Sequence, residues 1–228
     1  MRKFLVITID VEPDCSPSWS YSNPLQFEGV SIGIKRKLQP LFDRYGIKPT
    51  YLINNVVLED TPSVDVFRSL DGDFELGTHL HPEFIEPMKE QFDYAGKKGI
   101  ANCCFYRADI EAGKLQSITN LFQRSFGHAP KSFRAGRFSA GDNTIRSLID
   151  LGYKVDTSVT PNVRWKDSSR EKAVDFRSAS EQPYFVSNSI LASDTGGQLL
   201  EVPVTIGLRR NSLFEALKKF INIERRKY

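Results

Sequence analysis

Short apolar runs rich in β-branched residues recur along the chain, separated by longer stretches whose apolar positions fall at helical spacing. Runs at 4–9, 50–53, 74–77, 132–135, 154–156 and 199–204 read as buried strands, each short and strongly apolar. Between them, Ile34, Leu38, Leu41 and Phe42 form one stripe of a helix over 32–45, which stops at Gly46, a residue suited to a left-handed cap. Leu115, Ile118, Leu121, Phe122 and Phe126 do the same over 110–126, again with a glycine, Gly127, behind them. Ser139 and Asp142 read as a capping box ahead of Ile145, Leu148, Ile149 and Leu151, with Gly152 closing that helix. Strands alternating with helices predict an α/β fold built on a mostly parallel sheet.

Segments 84–104 and 160–182 carry no clean period and are rich in Pro, Ser, Gly and charge. They read as long loops, which in α/β folds often build sites. The stretch 211–228 sets Leu213, Leu217, Phe220 and Ile221 beside Lys218, Lys219, Arg225 and Arg226, predicting an amphipathic helix with a basic, solvated end. No internal repeat at fixed period is visible.

With 228 residues and 40% apolar content, the chain suffices for one sizeable core, so residues 1–228 are expected to form a single domain. A formal net charge of +3, without a long block of one sign, does not point to nucleic acid. The opening run ends in Asp10 with no small-residue cleavage site after it, and no apolar stretch approaches the ~20 residues of a membrane helix. A soluble, cytoplasmic protein without a transmembrane segment is expected. Cys15, Cys103 and Cys104 lack the spacing of a thiolate zinc site and read as reduced, structural thiols.

Two strand ends carry the candidate chemistry. The run "LVITIDVEPD" ends in Asp10 and Glu12, whose side chains fall on one side of an extended strand while Val11 falls on the other. Pro13 turns the chain before a third acid, Asp14. In "FELGTHLHPEF", His79 and His81 lie two apart, so extended backbone puts both imidazoles on one face, where they can share a divalent ion, zinc foremost. Both features sit at carboxyl ends of strands, the edge at which α/β barrels assemble their sites. Two histidines and one acid form a facial set that leaves positions open for water and substrate.

With these residues in place, the chain resembles the polysaccharide deacetylases, the chitooligosaccharide deacetylase homology domain among the carbohydrate esterases. "TIDVEPD" is similar to the family's first motif, TFDDGP, in which the first aspartate is the general base and the second binds metal. The resemblance gives Asp10 the base position; Val11 replaces the second aspartate, and Glu12 substitutes as ligand, with Asp14 the alternative. "ELGTHLHPE" resembles the second motif, a pair of metal-binding histidines followed by proline, here set closer together than usual. "SFRAGRFSAGDNTIRSLIDLGYKVDTSV" is similar to the third and fourth motifs, so that Arg134 maps to the arginine orienting the base and Asp156 to the fourth motif's acid. Arg137 and Phe138 occupy the neighbourhood that walls the substrate groove. "LLEVPVTIG" looks like the last recognised strand, so the resemblance runs from about residue 3 to residue 207.

The resemblance implies a distorted, incomplete (β/α) barrel of six or seven mostly parallel strands with outer helices. It implies a metal-dependent hydrolase, with zinc as cofactor, removing N-acetyl groups from a sugar or polysaccharide precursor, for instance during surface-glycan assembly. Beyond the last strand the family supplies one more histidine as general acid. No histidine follows His128 here, so the chain ends before that motif, another group substitutes, or deacetylation is impaired. Two other readings stand beside this one: a related hydrolase of small amides or ureides, and a catalytically inactive carbohydrate-binding homologue.

Overall fold

The computed structural model describes residues 5–18, 20–91, 94, 100–166 and 173–206. The start of the first strand run, Trp19 and the amphipathic stretch 211–228 lie outside or partly outside these residues. Among the described residues nine strands follow in chain order: β1 (Thr8–Val11), β2 (Thr50–Asn54), β3 (Glu75–Leu80), β4 (Ser132–Ala135), β5 (Val155–Asp156), β6 (Arg164–Lys166), β7 (Ala173–Asp175), β8 (Tyr184–Val186) and β9 (Leu199–Glu201). Seven form one sheet in the order β1-β2-β3-β4-β5-β9-β8. Every pairing from β1 to β9 is parallel, and β8 joins antiparallel at the far edge. With β1 and β8 as its two edges the sheet stays open, an incomplete barrel of mostly parallel strands. β6 and β7 form a separate antiparallel pair inside the segment that reads as a loop from sequence.

Tyr51, Leu52 and Ile53 of β2 are all fully buried. A continuous apolar run is what a parallel strand covered on both faces requires. The covering helices are α1 (Gln39–Tyr45), α2 (Asn55–Glu59), α3 (Thr61–Arg68), α4 (Ala108–Phe126) and α5 (Asp142–Asp150). α1 and α4 end at Gly46 (φ 61°) and Gly127 (φ 76°), the left-handed caps that the sequence pattern calls for. Leu115, Ile118 and Phe122 of α4 are fully buried, as the stripe predicts. Leu41 is not: it is 46% exposed. The helical turns before α1, Gly29–Leu38, are of π type, with more residues per turn than an α-helix, and this rotates later positions away from the phase that a constant 3.6-residue period assigns.

α2 and α3 have no counterpart in the sequence reading. Each starts on a side-chain cap, Asn54 accepting from the Val56 N–H at 2.7 Å and Asp60 from the Ser63 N–H at 2.9 Å. The start of α5 differs from the expected capping box. Its N-cap is Gly141, whose N–H donates to Thr144 Oγ1 at 2.8 Å, while the Ser139 hydroxyl donates to the Gly136 carbonyl at 2.6 Å and accepts from the Cys103 N–H.

Thr144 Oγ1 donates in turn to Glu111, in the first turn of α4. That carboxyl is buried, its Oε2 has no partner among the described residues, and burial outweighs the Thr144 bond and the Arg146 charge to lift its pKa to about 7. The folded protein therefore keeps a proton there that the unfolded chain releases near 4.5. The stabilising contribution is complete below that value and is lost as pH rises toward about 7, by about 3 kcal/mol. Glu111→Gln keeps the acceptor and removes the titration. Chemical denaturation across this pH range is expected to show a decline for the native chain and a flatter profile for the variant.

Candidate active site

β1 delivers its acids by simple alternation. Val11 is buried in the core, while Asp10 and Glu12, on the other side, both line a cavity of about 470 Å³. That volume suits a small-molecule site, for which roughly 300–1,000 Å³ is usual. β3 runs beyond the expected 74–77, through Leu80, so the extended geometry assumed for the two histidines holds as far as the chain needs it. His79 and His81 line the same cavity.

The three side chains converge on one point. Glu12 Oε1 lies 2.9 Å from His79 Nε2 and 3.3 Å from His81 Nε2, and the two imidazole nitrogens are 3.2 Å apart. Ion–ligand bonds of ~2.0–2.2 Å separate neighbouring ligand atoms by roughly 3 Å, whether the ion is tetrahedral or octahedral. The donor set is a carboxylate and two imidazoles, the ligands of first-row divalent ions. The residues present therefore fit such an ion. His79 Nδ1 lies 3.1 Å from the Arg134 carbonyl, which can only accept, so the ring's proton belongs on Nδ1 and Nε2 keeps its lone pair for the cluster.

Burial pushes the Glu12 carboxyl up, but hydrogen bonds and charge from His79 and His81 outweigh it and hold Glu12 well below the usual carboxylate range. At His79, burial pushes the pKa down and the charges of Asp10 and Glu12 outweigh it, leaving it raised. Asp14, the alternative acid, faces elsewhere. Its carboxylate accepts the Glu28 and Gly29 N–H groups at 2.6 and 2.8 Å, tying down the start of the next helical segment.

Asp10 meets Arg134 at the end of β4. Arg134 Nη1 donates to Asp10 Oδ1 at 2.7 Å, and its other donors reach Thr8 Oγ1 (2.6 Å), the Thr157 carbonyl (2.9 Å) and Thr157 Oγ1 (3.2 Å). Just after it the chain is pressed against the second histidine: a Cβ on Gly136 would lie 2.7 Å from the Leu80 carbonyl and 2.9 Å from His81 Cδ2. Arg137 (φ 53°) and Phe138 (φ 51°) then take left-handed backbone, costing on the order of 1–3 kcal/mol each for residues with a side chain. Both line the cavity. Phe138 stacks on Trp165 of β6 with ring centroids 5.9 Å apart and 17° between planes.

Asp156 does not line the cavity, which corrects its expected place as a substrate-contacting residue. It is fully buried, accepts from the Ser158 hydroxyl at 2.6 Å, and faces Glu201 of β9. Burial raises both carboxyl pKa values, and the proximity of Asp156 raises that of Glu201 further.

Several contributors escape a reading of the sequence. Tyr21, Glu83 and Phe84 line the cavity. Asn55, fully buried at the start of α2, accepts the His81 N–H at 3.0 Å and donates to the Phe84 carbonyl at 3.2 Å, fixing the segment that leaves β3. Only the "NN" pair after an apolar strand hinted at a polar strand end.

The chain shares its fold with a candidate glycoside hydrolase/deacetylase from Parabacteroides distasonis, at TM-score 0.52 and 11% identity over 87% of this chain and 44% of that one. A candidate polysaccharide deacetylase from Mycobacterium smegmatis aligns over 88% of this chain and 58% of that one, at 14% identity and TM-score 0.49. The chain thus spans about half the length of the solved structures it matches. The fold is deacetylase-like. No family model matches the chain, and no curated protein does. No helix among the described residues is long and apolar enough to cross a membrane.

Titration with zinc or cobalt, followed calorimetrically, tests the cluster. His79→Ala and His81→Ala are each expected to abolish stoichiometric uptake, and Asn55→Ala to weaken it about 10–100-fold by loosening His81. Because the His79 pKa is raised, uptake near neutral pH is expected to release its proton, and affinity to fall about tenfold per pH unit once that imidazole is protonated.

Proposed function

We propose that the chain is a metal-dependent hydrolase that removes N-acetyl groups from a sugar or glycan precursor. The observation that carries this reading is the shared cavity: Asp10, held by Arg134, opens onto the same space as the Glu12, His79 and His81 donors. The resemblance of the motifs and the deacetylase-like fold support it.

Glu12, His79 and His81 would hold the ion, with zinc the first choice for this donor set. Bound there, a divalent cation supplies a water acidified to a pKa of about 7 and a polarised acetyl carbonyl. Asp10 takes the water's proton as the C–O bond forms. Arg134 aims that carboxylate by charge-assisted hydrogen bonding while three other contacts hold the guanidinium itself. As the C–N bond breaks, Asp10 returns the proton to the departing nitrogen, giving the free amine and acetate. His128 lines a different cavity with Lys48 and Lys131, and among the described residues Asp10 is placed to serve as base and acid in turn. Tyr21, whose pKa burial and the Glu12 charge push up to about 12, keeps its hydroxyl proton and lines the same cavity. Phe138, backed by Trp165, presents an apolar face of the kind that packs on a sugar ring.

Acetate release from N-acetylated mono- and oligosaccharides by zinc- or cobalt-loaded protein tests the proposal. Asp10→Asn is expected to keep full metal stoichiometry while turnover drops by about 10²–10⁴. Loaded wild-type protein that frees no acetate from any such sugar, or an Asp10→Asn variant of undiminished rate, refutes it.

A further inference from the structure

One cation in the cavity is left over by this mechanism. The Arg137 side chain is 45% exposed and lines the cavity wall. Its Nη1 donates to Glu83 Oε1 at 2.9 Å and to the Ala101 carbonyl at 3.3 Å. Among the described residues nothing accepts from its Nε or Nη2. Glu83 is buried, its side chain 1% exposed, so the guanidinium is anchored from beneath by one nitrogen while its other edge stays open. An open Nε/Nη2 edge is a planar two-donor fork, matched in spacing to the two oxygens of a carboxylate or phosphate.

The backbone reinforces the placement. Gly136 is packed against His81 too closely to carry a side chain, and the left-handed turn through Arg137 and Phe138 follows at once. A chain held in this conformation beside the histidine cluster fixes where the guanidinium sits relative to the reacting centre. Charge agrees. Asp10, Glu12 and Glu83 face Arg134 and Arg137, so a divalent ion on neutral imidazoles leaves the set with one surplus positive charge. An anionic group on the substrate offsets it.

We infer that the substrate is an N-acetylated sugar bearing an oxyanion, carboxylate or phosphate, which the free edge of Arg137 clamps so that the acetamido group reaches Asp10. This rests on the deacetylase reading and narrows it. Sugars of the two anionic kinds, N-acetylglucosaminuronic acid and N-acetylglucosamine 6-phosphate, are compared with neutral N-acetylglucosamine. Calorimetric binding and acetate release are measured on the metal-loaded full chain and on Arg137→Lys. Lysine keeps a positive charge against Glu83 and removes the fork.

One anionic sugar is expected to bind and react at least about tenfold better than the neutral one, and which of the two does so identifies the oxyanion. Arg137→Lys is expected to cut that preference about tenfold, chiefly through KM. Neutral sugar binding as tightly as both anions overturns the inference, as does a variant that weakens all three equally. Anion-selective binding without acetate release would instead sink the deacetylase reading and leave Arg137 as the anion clamp. Indiscriminate deacetylation would do the reverse.

Discussion

A guanidinium cannot be buried without partners, and the way Arg134 is satisfied ties the site together. Its side chain is 6% exposed, and every hydrogen bond the guanidinium donates goes to a strand end: Asp10 and Thr8 on β1, and Thr157 just past β5. Its own carbonyl receives the Nδ1–H of His79 from β3. One residue on β4 thus connects the acid end of the sheet to the imidazole end. Breaking a buried pair by removing one partner costs on the order of 3–5 kcal/mol. The same bonds that stabilise the interior therefore fix both the carboxylate proposed as base and the tautomer of a neighbouring histidine.

Carboxyl groups around this cation fall into two classes according to what they face. Asp10 and Glu12 meet a guanidinium and two imidazoles across an open cavity. Asp156 and Glu201 meet each other in a fully buried space, where two negative charges cannot coexist and a retained proton is the cheaper arrangement. The Arg134 charge reaches this pair as well and opposes the rise at both carboxyls. Asp10 differs in receiving a direct 2.7 Å hydrogen bond from the guanidinium, which separates the acid on the cavity from the buried pair.

What could be read beforehand was whatever depends on period and neighbourhood. The runs that become β1 to β5 and β9, the glycine caps of α1 and α4, and the shared faces of Asp10 with Glu12 and of His79 with His81 all follow from local backbone geometry. What could not be read depends on distant partners. Asp156 and Asp10 are both acids near strand ends, and only the partner across the fold, Glu201 for one and Arg134 for the other, separates a buried pair from a cavity wall. Glu83 and Asn55 act on segments far from them in sequence, and neither stands out by residue type. Leu41 fails for a different reason: a π-type segment shifts the phase, and no composition marks where the period changes.

The spacing of the cluster also accounts for the departures in the two motifs. β1 and β3 are not neighbours; β2 lies between them, so their backbones are about two strand spacings apart, roughly 9–10 Å in a flat sheet. Closing that gap to a 2.9 Å contact needs reach from one side and room in the middle. The reach comes from glutamate, whose extra methylene extends further than the aspartate of the usual motif. The room comes from the end of β2, where Asn54 caps α2 and Asn55 holds the His81 segment, so neither enters the cavity. Histidines set two apart need backbone that is still extended, and β3 supplies it through Leu80. The long acid on β1, Asn54 and Asn55 at the junction of β2 and α2, and the closely set imidazoles at the end of β3 are thus one geometric solution.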